Sequence, residues 1–148
     1  MQIIKDKQLI DNSWQFISDE ASFNNSNNIT VSLSRWLENP SAFANRSGQT
    51  GVRLTSTDST DQLNQLTTAA LIELDFPVFT DGRLFSHARL LRDLGYQGEI
   101  RAVGNYLPDQ IFYLSRVGVN GFELAEQHIS LALNCLQDFT VTYQASSN

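Results

Sequence analysis

The chain reads as a single α/β domain of βα repeats with a mainly parallel, half-barrel-like sheet, an N-terminal hairpin and a C-terminal strand. From Ile29 onward, short apolar runs alternate with helical stretches, and the connections are too long for hairpins. That pattern calls for parallel strands and crossover helices. In addition, successive strands carry single central charges of alternating sign, Arg53, Glu73, Arg101 and Glu123. Strands covered on both faces are normally apolar throughout, and an isolated buried charge is very costly. A sequentially ordered, curved sheet places each charge beside an opposite one, which is the order of a barrel or half-barrel rather than of a doubly wound sheet.

Size and composition agree with this reading. The 148 residues are 41% hydrophobic and 18% charged, enough for one domain with its own core. The formal charge of −6 argues against a protein that tracks nucleic acid or anionic lipid. Cys135 is the single cysteine, so an internal disulfide, a CxxC pair and a four-thiolate cluster are all ruled out. There is no apolar leader after Met1 and no run long enough to span a bilayer, so the expected location is the cytoplasm.

Residues 1–28 are expected to form the hairpin and a polar loop. Ile3 and Ile4 precede Lys5-Asp6-Lys7, and a second strand runs to Ile17 with Trp14 and Phe16 on one side. Residues 29–136 hold the βα units. Their strands are expected at 29–33, 51–54, 70–76, 99–103 and 121–124, and their helices at 34–38, 59–66, 84–94, 108–117 and 125–136. Leu84, Ala88 and Leu91 lie at helical spacing, and Gly95 suits a C-terminal cap. Pro108 suits a first helical position, and Gly118 ends that helix. Ala125, Ile129, Ala132, Leu133 and Leu136 form the next apolar stripe. In the terminal segment 137–148, Phe139, Val141 and Tyr143 alternate as a strand is expected to.

Candidate functional residues cluster between Phe79 and Glu123. The stretch Phe76-Pro77-Val78-Phe79-Thr80-Asp81-Gly82-Arg83 runs from a strand into a helix and so falls where α/β folds hold ligands. Asp81 is a candidate N-cap and a candidate acid or base, and Gly82 a candidate for an unusual backbone angle. Arg83 is placed to add charge to free helix amides. Arg89 and Arg92, one turn apart, are candidates to join Arg83 and Arg101 in an anion clamp. Glu99, a second candidate acid or base, together with Asn105, Asp109 and Gln110, surrounds the next strand–loop–helix junction. Capping and solvated helix arginines explain the same residues without any ligand.

No GxGxxG or GxxxxGK[ST] pattern is present, and His87 and His128 lack metal-ligand spacing, so neither a nucleotide cradle nor a metal is expected. His87 is expected to be an exposed helix residue, and Cys135 a core residue or its inert neighbour.

The segments PheProValPheThrAspGlyArg, SerHisAlaArgLeuLeuArg, GlyTyrGlnGlyGluIleArgAlaValGly and LeuProAspGln, taken together, resemble the bacterial family catalogued as domain of unknown function 934. Trp14, Leu33-Ser34-Arg35-Trp36 and Val141-Thr142-Tyr143-Gln144 extend the likeness over nearly the whole chain. Members of that family are described as oxidoreductases involved in sulfite reduction. The family pattern is met at Asp81, Gly82, Arg83, Ser86, Arg89, Arg92, Gly98, Glu99, Arg101, Gly104, Asp109 and Gln110. Phe85, Asn105, Val117 and Asn120 depart from its usual tyrosine, aspartate, cysteine and aspartate, so none of these positions is a good candidate for essential chemistry.

Three functions follow as expectations. The first is an accessory or binding protein of sulfite reduction, meeting sulfite reductase or a small oxyanion. The second is a small oxidoreductase with an unseen cofactor, such as a noncovalent flavin. The third is an oxyanion- or phosphate-handling enzyme on a barrel-like scaffold. Five parallel strands leave edges to cover, so a homodimer is also expected.

Overall fold

The computed structural model of the chain describes residues 2–78 and 82–146, with side chains through residue 137. Eight strands form one sheet: β1 (Gln2–Lys5), β2 (Gln8–Asp11), β3 (Trp14–Phe16), β4 (Asn28–Ser32), β5 (Thr50–Thr55), β6 (Leu71–Phe76), β7 (Glu99–Gly104) and β8 (Gly121–Phe122). Five α-helices accompany them: α1 (Leu33–Glu38), α2 (Pro40–Ala44), α3 (Arg83–Asp93), α4 (Ile111–Arg116) and α5 (Glu126–Ser146). The segment expected as a helix before β6 is the 3-10 helix Thr60–Leu66, and a 3-10 turn at Pro108–Gln110 leads into α4.

The strand order is β2-β1-β8-β7-β6-β5-β4-β3. Strands β3 to β8 are parallel neighbours in chain order, and β1 joins antiparallel to both β8 and β2. The edge strands β2 and β3 are separated in sequence only by Asn12 and Ser13. Three Cα–Cα steps reach at most about 11 Å. In a flat sheet the same two edges would stand roughly 34 Å apart. The sheet therefore has to curl, and it forms the half-barrel that the sequence led us to expect.

Local chemistry explains where the elements turn. Asp6 and Lys7 both take positive φ, 51° and 66°, as a tight two-residue hairpin requires. Asn120 holds that turn, its carbonyl accepting from the Asp6 amide at 2.9 Å and its side chain donating to the Asp6 carboxylate at 3.0 Å. Ser32 caps α1 by accepting from the Arg35 amide, and Asn39 caps α2 ahead of Pro40. Gly95 ends α3 at φ 94°, while the Tyr96 amide returns to the Leu91 carbonyl at 3.0 Å.

Alternation along the strands divides the sheet into two faces. Ile29, Val31, Val52, Leu54, Ile72, Leu74, Phe76, Ile100 and Phe122 point to one face and share a core with Trp36, Leu84, Leu91, Leu114, Ile129 and Leu136 of the helices. The opposite, inner face carries Ile3, Leu71 and Val103 together with the strand charges. Pairing burial with period-two alternation in this way is what fixes the register.

Several expectations need correction. The hairpin ends at Asp11 rather than Ile17, because the Asn12 side chain accepts from the Trp14 amide at 3.0 Å and breaks the strand. Trp14–Phe16 then pairs parallel with β4 instead of with β1. The short helix α2 lies in a stretch read as connection. The C-terminal strand expected over 137–148 is instead the continuation of α5 to Ser146. No Gly or Pro interrupts the chain after Glu126, and an established helix propagates more easily than a new strand begins.

Candidate functional site

The inner face is organised by register. Arg53 lies opposite Glu73, Glu73 opposite Arg101, and Arg101 opposite Gly121. The alternating charges thus sit on neighbouring strands through β5, β6 and β7. Glu123 falls just beyond β8, where its amide donates to the Ala102 carbonyl at 2.9 Å.

The pairing is more selective than adjacency alone requires. Arg53 donates through Nε to Glu73 at 2.9 Å. Arg101, only 1% exposed, instead makes a bidentate contact with Glu99 of its own strand, at 2.6 and 3.0 Å. Its remaining Nη1 donates to Asn12 at 3.1 Å, so the link between the edge strands reaches the middle of the sheet. Lys5 Nζ stands 3.9 Å from Glu99 Oε1, the oxygen that also accepts from Arg101 Nη2. Gly121 leaves the space: a Cβ there would collide with Glu99.

Arg53 is held differently. Its guanidinium carbon lies 4.2 Å from the centroid of the Phe16 ring, and the side chain is 21% exposed. With Nε committed to Glu73, Nη1 and Nη2 make no hydrogen bond among the described residues. A charged fork is thereby fixed in direction by an aromatic ring and a carboxylate, with its two terminal nitrogens open. Facing it is Glu123, whose carboxyl is pushed above the usual carboxylate range. Burial is the main cause, reinforced by Glu73 and Asp75 and opposed by Arg53 and Arg101. Such a carboxyl can donate a hydrogen bond when protonated and accept one when ionised.

The residues singled out from the sequence lie in three places. Asp81 is outside the described residues. Gly82 occupies the N-cap position of α3 at φ −90°, so the unusual glycine angle is not found. Arg83 donates to Ser56 at 3.2 Å near the C-terminal ends of β5 and β6. At the same end Asn105 donates to the Pro77 carbonyl at 3.0 Å, Asp109 is exposed in the first 3-10 turn, and Gln110 accepts from the Leu107 amide at 2.8 Å. Glu99, by contrast, begins β7 and so belongs to the opposite end of the sheet.

The four arginines do not converge. Arg101 is on the inner face, whereas Arg89 and Arg92 are on α3, which packs against the other. Arg92 is a backbone staple: it donates to the carbonyls of Tyr96, Gly98 and Gly118 and to Asn120, between 2.8 and 3.2 Å. Burial lowers its pKa, while Tyr96 and Asp6 act in the opposite direction. His87, expected to be exposed, is buried at the root of α3, with Nδ1 2.9 Å from the Arg83 carbonyl and Nε2 2.8 Å from that of Asp58.

Arg53, Glu73, Asp75 and Glu123 were not picked out as site residues from the sequence, although three of them belong to the charge alternation that defined the strands. Asn12 and Phe16 carried no such signal, since the parallel pairing of β3 with β4 brings Phe16 near β5 and the curl of the sheet brings Asn12 to β7.

Among the described residues there is no group of His, Cys, Asp and Glu fit to hold a metal ion. None of the described helices is long and apolar enough to cross a membrane.

Fold and site together define a mixed α/β protein with a curled, mostly parallel sheet and a charged inner face. The chain belongs to the family described as "Bacterial protein of unknown function (DUF934)", which matches residues 51–148. No curated protein and no solved structure matches it.

Proposed function

We propose that the chain is an accessory binding protein of sulfite reduction that takes a small oxyanion on its inner face. One observation carries the binding part of this reading: the oriented Arg53 fork, with Nη1 and Nη2 open and Glu123 across from it. A planar guanidinium already fixed in place loses little freedom on binding and suits a two-oxygen contact. The raised pKa of Glu123 eases its uptake of a proton beside a bound anion, and the protonated carboxyl could then donate to it. The family resemblance supports the pathway. Binding is favoured over turnover because the more deeply buried cation, Arg101, is already engaged by Glu99 and Asn12.

The test is thermal unfolding with sulfite, sulfate or chloride at matched ionic strength, on the wild type and on Arg53→Gln. Ligand at about 100 times Kd stabilises by roughly 2.7 kcal/mol. The wild type is expected to be stabilised by sulfite or sulfate over chloride, and Arg53→Gln to lose that difference whatever its own Tm. An equal response of the wild type to all three salts would overturn the oxyanion reading.

A further inference from the structure

On the helix side of the sheet, α3 and α4 border an open groove of about 580 Å³. Its charge runs against that of the molecule. Among the described residues, Arg89, Arg92 and Arg116 line it with Asp93 as the single acidic residue, whereas the whole chain carries −6. Arg92 spends its donors on backbone carbonyls and Asn120, so it supplies field rather than contacts. Arg89 is exposed and makes no hydrogen bond or ion pair among the described residues.

The apolar lining is as informative as the charge. Tyr113 is 61% exposed, and Phe85 and Val117 beside it are half-buried. An exposed aromatic next to arginines is the composition of a protein-binding hot spot. A lone oxyanion would leave both the aromatic surface and most of the volume uncovered. A nucleic acid strand would be repelled by the acidic remainder of the surface.

We infer that this groove docks an acidic segment of a protein partner, with a carboxylate of the segment on Arg89 and one apolar or aromatic side chain on Tyr113. Complementary charge would guide the encounter, and the aromatic contact would set the lifetime. The groove and Arg53 lie on opposite faces of the sheet, so this inference stands or falls independently of the oxyanion site.

The experiment replaces Tyr113 by the photo-crosslinking residue p-benzoylphenylalanine in the full-length chain in its native host. Mass spectrometry then identifies the cross-linked peptide. The same strain is made with Arg89→Glu and, separately, with Arg89→Lys, and circular dichroism checks that each variant folds. The expected result is a cross-link to one protein segment rich in Asp and Glu, about tenfold weaker in Arg89→Glu and retained in Arg89→Lys. The inference is overturned by a cross-linked segment without acidic residues or by adducts to nucleic acid or lipid. An unchanged yield in folded Arg89→Glu, or the absence of any cross-link, overturns it equally. The sulfite response of Arg89→Glu should match that of the wild type, which separates failure here from failure at Arg53.

Discussion

At the scale of single residues, arginine does most of the specific work in this protein. Arg35 ties down the carbonyls of Ser18 and Ala21, and Arg46 those of Asn24, Asn27 and Gln49, as Arg92 does near α3. A lysine could not replace such a fork, because its three donors share one nitrogen. Arg101 is the most demanding case. Arg101→Met leaves Glu99 buried without its partner, and urea unfolding should show a loss of about 3–5 kcal/mol. Changing both residues, Glu99→Leu with Arg101→Met, should cost less than Arg101→Met alone, since no charge is then stranded. Glu123 makes the opposite prediction. Its raised folded-state pKa means that folding takes up a proton between its ordinary carboxylate value and the raised one, so stability falls as pH climbs through that window. Glu123→Gln should flatten that slope, and above the window it should be at least as stable as the wild type. A pH series of unfolding free energies reads both.

At the scale of elements, glycine positions separate conformational cost from steric cost. Gly95 and Gly104 both take positive φ, 94° and 86°. A Cβ at Gly95 meets nothing within 4 Å, but one at Gly104 comes within 2.6 Å of both the Asp75 carboxylate and the Phe76 carbonyl. Gly95→Ala should therefore cost about 1 kcal/mol, and Gly104→Ala roughly 2–5 kcal/mol, as measured by thermal unfolding. The elements themselves were largely legible in the sequence. Strands β4 to β8 and helices α3 to α5 announce themselves through period, caps and turn glycines. The charge alternation even gave the neighbours of Glu73. What failed did so for physical reasons. Five alternating residues, Phe139 to Tyr143, also fit a helix already under way, and three residues, Trp14 to Phe16, do not say which edge of a sheet they join. The burial of His87 depends on the carbonyl of Asp58, 29 positions earlier, which no local pattern encodes.

At the scale of the whole molecule, the family match begins at Gly51, inside β5, and leaves out β1 to β4. The matched region is expected not to fold on its own. A chain starting at residue 51 would lose β4 from the flank of β5, Phe16 from Arg53 and Asn12 from Arg101. It should show weak, non-cooperative unfolding by circular dichroism, and a cooperative transition like that of the full chain would contradict this. The strand order also has a consequence in time. Ile4 pairs with Phe122, so β1 must wait for a partner made 118 residues later. At ordinary synthesis speeds that delay is on the order of ten seconds. Through it, the hairpin stands without its neighbour while β4 to β7 can already assemble in succession. Completion of the half-barrel is then a late event with long-range contacts, the kind that slows folding. A nascent chain halted before Gly121 should consequently keep the hairpin Gln2–Asp11 open to protease after the middle of the sheet has become resistant.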